Sequence, residues 1–200
     1  MNAPAPRIEI PTLIGTATEI GRLIGRIRVG ADLYAVFQPP MAVARHAPAV
    51  WNGSRKLVDD AMSFSDGHAN TVAMAKAGSK VAQYALDHEL YIPSLDESDL
   101  QYRLFKPGTT QNWCYARSGI NMNAERQLEP YTPDFPKQTD LADYRAGGAE
   151  AFEEKYHWTS TQYRANVGYA WAQYFDDGFQ SHYRKDNELP FVLVRRELIR

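Results

Sequence analysis

Residues 156–185 read YHWTSTQYRANVGYAWAQYFDDGFQSHYRK, and nine of these thirty are aromatic, whereas aromatics make up only 12% of the chain. Within the stretch, GYAWAQYF alternates small and large side chains. This predicts a strand with its two alanines on one face and Tyr169, Trp171 and Gln173 on the other. The Asp-Asp-Gly turn signal at 176–178 is followed by FQSHYRK as a returning strand. The stretch therefore predicts a β-hairpin whose aromatic side chains divide between a core and a displayed surface.

The flanking segments add further strands and a helix. LPFVLVRRE, at 189–197, is a nearly continuous apolar run and predicts one more strand. RLIGRIRVGADLYAVFQPP predicts a second hairpin, with strands at 23–29 and 33–38. Residues 71–87 place small and apolar side chains at i, i+3, i+4 and i+7, with Asn70 able to cap the start. This spacing predicts an amphipathic helix.

A second helix has clear start and stop signals. Ser94 and Glu97 form an S-x-x-E capping box, and Pro107-Gly108 closes the segment. Residues 107–155 are rich in Pro, Gly, Asn and Thr and show no sustained period, apart from a short helix expected near 141–154. Hairpins, two helices, a long irregular segment and terminal strands predict an α+β domain.

The length and the proline pattern predict one domain with an appended arm. Two hundred residues suffice for one substantial core. Three prolines within residues 1–15 predict an extended N-terminal arm, residues 1–20, lying over the domain or over a neighbouring subunit, with a frayed terminus as the alternative. Residues 21–200 form the domain, which carries an insertion at about 107–155.

Charge and hydropathy exclude several classes of partner. The formal net charge is −2 and the isoelectric point is near 6.2. Sequence-independent nucleic-acid binding depends on a broad positive field, so no nucleic-acid partner is expected. The N-terminus lacks a charged start followed by an apolar segment, and no run of about 18 apolar residues occurs. No membrane insertion is therefore expected.

The residues that usually carry catalysis form no recognisable motif. The five histidines do not show metal-ligand spacing, and the chain has no nucleophile elbow or phosphate loop. Cys114, the single cysteine, is interpreted as a buried inert thiol, and it cannot form an intrachain disulfide. We therefore predict neither enzyme activity nor a cofactor.

Several sequence blocks together resemble a known domain family. They are DGHANTVAM, LYIPSLDESDL, NWCYARSGIN, YHWTSTQYRANVGYAWAQYFDDGFQ and VLVRRE. In order and spacing they resemble a C-type-lectin-like family of bacteria and prophages, named for the C-terminal domain of a collagen-like adhesin. The matching motif positions are Pro93-Ser94, 158–161, 175–178 and Val194-Arg195, and the resemblance covers roughly residues 23–198.

The resemblance implies a C-type-lectin-like fold, in which two helices flank small antiparallel sheets and long loops carry binding. With its N-terminal hairpin and NWCYARSGIN block, the chain looks most like tail-tip, baseplate and fibre proteins of tailed phages. The resemblance implies a virion protein that is assembled in the bacterial cytoplasm as a homo-oligomer, beside other tail or baseplate proteins. It also implies that this protein attaches to a host cell-surface glycan or protein.

The chain also departs from its relatives. Calcium-dependent lectins of this fold use an E-P-N or Q-P-D tripeptide, but here Glu129-Pro130 is followed by Tyr131. Asp176 and Asp177 retain only the potential for weak cation binding. The sulfatase-modifying oxidases of this fold need a cysteine pair, so the lone Cys114 excludes their activity.

Metal-free sugar recognition uses aromatic rings on the apolar face of a pyranose, with planar polar groups around them that satisfy the hydroxyls. Residues 162–185 supply both kinds of group. We predict a ligand-binding face made of Tyr163, Arg164, Asn166, Tyr169, Gln173, Phe179, Gln180, His182, Tyr183 and Arg184.

Some of the aromatic residues are expected to serve the core instead. Trp158, Trp171 and Phe175 fall on family motif positions and are predicted to be buried. The exposed remainder suits a glycan-binding face or a subunit contact equally well. The alternative function is therefore a structural baseplate or decoration subunit whose aromatic face packs on its neighbours.

Overall fold

Three antiparallel sheets and four helices form the part of the chain that the computed structural model describes, residues 9–199. The strands are β1 (Ala17–Thr18), β2 (Gly21–Val29), β3 (Asp32–Gln38), β4 (Arg45–Val50), β5 (Tyr156–Gln162), β6 (Tyr169–Tyr174), β7 (Gln180–Arg184), β8 (Glu188–Val192) and β9 (Arg195–Ile199). The helices are α1 (Met41–Ala44), α2 (Gly67–Lys76), α3 (Lys80–Asp87) and α4 (Leu95–Phe105). The α+β prediction is confirmed.

The first sheet joins the two ends of the described chain. Its order is β1-β2-β3-β9, and the predicted hairpin runs from the pair Arg22↔Gln38 to the pair Val29↔Asp32. Gly30 makes the turn with a φ of +60°, a conformation that costs glycine little. The second sheet pairs β4 with β8, and the third has the order β5-β6-β7.

The apolar run at 189–197 forms two strands, so the prediction of one strand was wrong. β8 pairs with β4, whereas β9 pairs with β3 in another sheet. Along the run, Phe191 and Leu193 pack into one core cluster and Val192 and Val194 into another. The run lacks polar alternation because both of its faces are buried.

The predicted helix at 71–87 is interrupted. α2 ends at Lys76 and α3 begins at Lys80, because Gly78 adopts a φ of +89° between them. Asp66, not Asn70, caps α2 by accepting a hydrogen bond from the Ala69 backbone N–H at 2.9 Å. The Asn70 side chain is buried and is hydrogen-bonded to the backbone of Ser63.

The start of α4 is confirmed. The Ser94 hydroxyl accepts the Glu97 backbone N–H at 3.4 Å, and Glu97 Oε2 accepts the Ser94 backbone N–H at 2.7 Å. Glu97 Oε2 also accepts the Gly67 N–H at 3.1 Å, so this one carboxyl group joins the starts of α2 and α4. The helix ends at Phe105, before Pro107-Gly108 as predicted.

Two large apolar clusters fill the interior. The first lies between α4 and the first sheet, and the second lies between α2, α3 and the inner side of the third sheet. Trp158 and Phe175 are buried as predicted. The same prediction for Trp171 was wrong, because this residue is only partly buried and lies on the opposite side of the third sheet. Cys114 is also only partly buried, packed against the first cluster.

Residues 107–155 are irregular, as predicted. The helix expected near 141–154 is limited to one 3₁₀ turn, Ala142–Tyr144. The buried Lys106 ammonium helps to hold this segment by donating to Asn112 Oδ1 at 2.8 Å and to the Pro136 carbonyl at 3.4 Å.

Residues 9–20, the described part of the predicted arm, pack against the domain of the same chain. β1 pairs with β2, the Gly15 N–H donates to the Leu23 carbonyl at 2.8 Å, and the Arg26 guanidinium donates to the Pro11 carbonyl at 2.6 Å. Residues 1–8 of the arm lie outside the described residues.

His157 is the buried titratable group with the clearest pH consequence. Burial lowers its pKa to about 4, so the ring is neutral in the folded protein at pH 6. In the unfolded chain the His157 ring takes up a proton near pH 6.5, whereas in the folded protein it stays neutral until about pH 4. The free energy of unfolding therefore falls as the pH drops below 6.5. From pH 7 to pH 5 we expect this one group to remove about 2 kcal/mol of unfolding free energy.

A His157→Gln variant isolates this contribution, because glutamine keeps an N–H donor and does not titrate. Urea unfolding of both proteins from pH 7 to pH 5 should show a shallower loss of stability in the variant. Parallel curves of unfolding free energy against pH would contradict the assignment of this pH dependence to His157.

Candidate ligand-binding face

The third sheet arranges the predicted residues on two opposite faces. Across β6 and β7, the directly opposed pairs are Tyr169↔Arg184, Trp171↔His182 and Gln173↔Gln180 on one face. Ala170↔Tyr183 and Ala172↔Ser181 lie on the other, which packs on the second core cluster. The predicted alternation of β6 is therefore confirmed, with the alanines inward.

Four aromatic side chains form a continuous group on the outward face, which we call the outer aromatic row: Tyr163, Tyr169, Trp171 and His182. The Tyr163 and His182 rings are stacked with centroids 4.1 Å apart and planes 10° from parallel. Trp171 meets Tyr163 at 5.3 Å and His182 at 5.8 Å, both nearly perpendicular, and Tyr169 meets His182 at 5.6 Å. His182 is exposed and the other three are partly buried, so the row is held in place and remains accessible.

The turn between β5 and β6 borders this row with polar groups. Arg164 and Asn166 are exposed. Asn166 shapes the turn, because its side-chain oxygen accepts the Gly168 N–H at 3.1 Å and its carbonyl accepts the Tyr169 N–H at 3.0 Å. Arg184, opposite Tyr169, is exposed and makes a two-point ion pair with Asp186 at 2.8 and 3.1 Å.

Four predicted site residues do not join the row. Gln173 and Gln180 are buried and hydrogen-bonded to each other at 2.8 Å, because the irregular segment covers this end of the outward face. Tyr183 points inward and packs on Tyr156, 4.7 Å between ring centroids. Phe179 follows the turn after β6 and belongs to a separate group. These four are removed from the candidate face.

Phe179 belongs to a second aromatic group, the loop aromatic cluster: Trp113, Tyr115 and Phe179. The Trp113 ring lies 5.1 Å from Phe179 and 5.4 Å from Tyr115. Trp113 is 41% exposed and Tyr115 is 68% exposed. Neither Trp113 nor Tyr115 was among the ligand-binding residues predicted from the sequence. The only signal was two large aromatics either side of Cys114 in a segment without periodicity.

The irregular segment also reaches the outer aromatic row. Ser118 Oγ accepts the Gln180 N–H at 3.0 Å, and the Arg117 guanidinium lies 4.5 Å above the Phe64 ring. Phe64 in turn lies 6.3 Å from Trp171. The segment thus closes one end of the outward face and leaves the end at Tyr163 open.

Two large grooves lie elsewhere on the described residues. A groove of about 960 Å³ runs between residues 12–14, β2, α4 and residues 124–129. A second groove of about 640 Å³ adjoins it and is bordered by residues 135–141. Charged side chains beside the first groove form contacts within the fold: Arg26, for example, contacts the Pro11 carbonyl and Glu125. None of the predicted ligand-binding residues lines either groove.

Residues 9–199 contain no group of three or more His, Cys, Asp or Glu side chains placed to hold a metal ion. Asp177 instead caps its own turn by accepting the Phe179 N–H at 2.9 Å, and burial raises the pKa of its carboxyl group. Among the helices of the same residues, none has both the length and the hydrophobicity that a bilayer crossing requires.

Comparison with known proteins gives no family or relative from which a function could be inferred. No protein-family model matches the chain, and neither a curated protein nor a solved structure shows significant similarity to it.

Proposed function

We propose that this chain is a carbohydrate-binding component of a phage or prophage virion, of C-type-lectin-like fold, located at the tail tip, baseplate or fibre and contributing to host attachment. The sequence blocks that resemble the adhesin-derived family support the fold and the setting. Helices beside small antiparallel sheets, with one long irregular segment, are the features that the resemblance implies.

The outer aromatic row is the observation that carries the binding proposal. Its rings are fixed by mutual contacts, so little side-chain entropy is lost when a ligand docks. Arg164, Asn166 and Arg184 surround the row with donors and acceptors for sugar hydroxyls. Single sites of this kind bind weakly, so a symmetric virion assembly would supply the avidity.

We expect the wild-type protein to bind surface polysaccharide from a susceptible bacterium, and Tyr163→Ala or His182→Ala to weaken binding about tenfold or more. Loss of a stacking ring removes on the order of 1–2 kcal/mol, which corresponds to about that factor. Calorimetric titration of the assembled protein measures it.

Tyr84→Ala provides the matched control. The rings of Tyr84 on α3 and His88, the residue that follows this helix, also have centroids 4.1 Å apart, but Tyr84 packs against His46 of β4 and is not part of the outer aromatic row. This variant should bind like the wild type. Absence of wild-type binding at millimolar sugar, or an equal loss in Tyr84→Ala, would rule out the row as a glycan site.

A structural role is the second candidate, and the loop aromatic cluster is the observation that favours it. Trp113 and Tyr115 expose a joined aromatic surface of the kind that packs on neighbouring subunits. If the chain is a structural subunit, Tyr115→Ala should impair assembly in analytical ultracentrifugation while no variant affects sugar binding.

A further inference from the structure

The open end of the outer aromatic row is bordered by basic side chains that come from three separate segments. We call them the basic corner: Arg55, Lys56, Arg164 and Arg184. Arg164 directly follows Tyr163, and Arg184 is the cross-strand neighbour of Tyr169. Arg55 reaches the same place, because its Nε lies 3.8 Å from Asp186 Oδ2, the carboxylate that also binds Arg184.

The folding of the chain fixes this arrangement. The backbone N–H of Trp51 donates to the Lys185 carbonyl at 3.0 Å, which ties the start of the Arg55 segment to the end of β7. The buried Lys185 ammonium donates to the Lys56 carbonyl at 3.0 Å. A Cβ atom at Gly168 would lie 3.6 Å from the Arg55 carbonyl oxygen, so this segment touches the β5–β6 turn.

The positive charge of the corner is only partly compensated by ion pairs within residues 9–199. Asp186 is the one acid that pairs with it, and Arg55 and Arg184 share that carboxylate. Arg164 and Lys56 form no ion pair with any described residue, and all four basic side chains are exposed. Asp59 and Asp60 also lie close to the corner, because Val58 and Ala61 on either side of them bond to Gln162, the residue before Tyr163, but neither acid forms an ion pair with the four basic side chains.

We propose that the ligand of the outer aromatic row is an acidic polysaccharide, whose carboxylate or phosphate groups pair with Arg164 and with Arg184 Nη1, the donor group that Asp186 leaves free, while a sugar ring packs on Tyr163 and His182. This inference rests on the proposed function and narrows its ligand class. Exposed guanidinium groups bind carboxylate and phosphate through paired N–H donors. A neutral sugar would use only the stacking surface of the row, whereas an acidic sugar would use the stacking surface and the guanidinium groups.

The corner is local, since the whole chain carries a net charge of −2. Attraction of an anionic polymer to this chain therefore cannot come from net charge and needs such a site. The attraction should weaken with salt, because exposed charges are screened over about 8–10 Å at physiological ionic strength.

Three probes test the proposal on the assembled full-length protein: an oligogalacturonate, its carboxyl-reduced neutral form, and a glycerol phosphate polymer. We expect at least one anionic probe to bind about tenfold more tightly than the neutral form at 50 mM salt. That preference should shrink at 500 mM salt. The better of the two anionic probes identifies the acidic group.

Arg164→Gln and Arg184→Gln should each remove most of the preference for the anionic probe over the neutral form, because glutamine keeps an N–H donor for sugar hydroxyls but carries no charge. Arg28→Gln is the matched control, because Arg28 is exposed on β2 in the first sheet. Equal binding of charged and neutral probes overturns the acidic-ligand inference while carbohydrate binding stands. An equal effect of Arg28→Gln also overturns it, and binding of none of the probes would defeat the carbohydrate function itself.

Discussion

Trp158→Ala is expected to lower the free energy of unfolding by about 3–5 kcal/mol, the usual range for truncating a large buried aromatic. Trp158 is 1% exposed, and its indole N–H donates to the Ala49 carbonyl at 3.1 Å. Removal of the indole therefore leaves both a cavity in the second core cluster and a backbone carbonyl without its donor. Chemical denaturation of the purified variant measures the loss.

Trp171→Ala is the matched comparison, because Trp171 occupies the adjacent strand with its side chain on the outward face. We expect it to cost only about 1–2 kcal/mol, since a partly buried ring gives up less apolar surface and its site is open to solvent. Its larger effect should be on glycan binding, as part of the outer aromatic row. Equal destabilisation by the two substitutions would show that the outward face is covered in the assembled protein.

The two tryptophans also show what local sequence can predict. Hairpin turns, the Ser94–Glu97 capping box and the alternation in β6 depend on neighbouring residues, and all three were predicted. Whether an aromatic face meets a core or solvent depends on segments far away in the chain. Trp158 is buried by α2, α3 and β8, whereas nothing in its own motif distinguishes it from Trp171.

The candidate site was predictable to a similar degree. The alternation in β6 assigned Tyr169 and Trp171 to a shared face, but the register with β7 decides that His182 joins them and Tyr183 does not. Gln173 and Gln180 could not be recognised as buried, because Ser118, about 60 residues earlier in the chain, covers them. Trp113 and Tyr115 come from a segment without periodicity, which gives no sequence signal of exposure.

Asp99→Ala is expected to destabilise the protein by about 3–5 kcal/mol, because it removes one partner of a buried charge network. Asp99 is fully buried in α4. Its Oδ2 accepts Arg103 Nε at 2.8 Å and Asn121 Nδ2 at 2.9 Å, and its Oδ1 accepts the Tyr131 hydroxyl at 2.5 Å. Burial together with the Asp99 charge raises the pKa of Tyr131, so its hydroxyl remains protonated and donates.

The same substitution should loosen residues 117–131 more than the rest of the fold. Arg103 also donates to the carbonyls of Gly119 and Glu129, at 2.8 and 2.9 Å, so Asp99 orients a guanidinium that itself holds the irregular segment. Hydrogen exchange should show selective loss of protection in this segment, and Gln180 beneath it should become accessible. Global unfolding measurements alone would miss this distinction.

Two further variants separate the charge network from simple loss of a carboxylate. Asp59→Ala removes an exposed acid and should change stability by less than about 0.5 kcal/mol. Asp99→Asn keeps one acceptor for Tyr131 or Arg103 and should lie between the wild type and Asp99→Ala. If Asp99→Ala unfolds all regions equally, the irregular segment is an integral part of the first core. If the loss is confined to residues 117–131, that segment is a cover whose attachment to α4 determines how much of the outward face a ligand can reach.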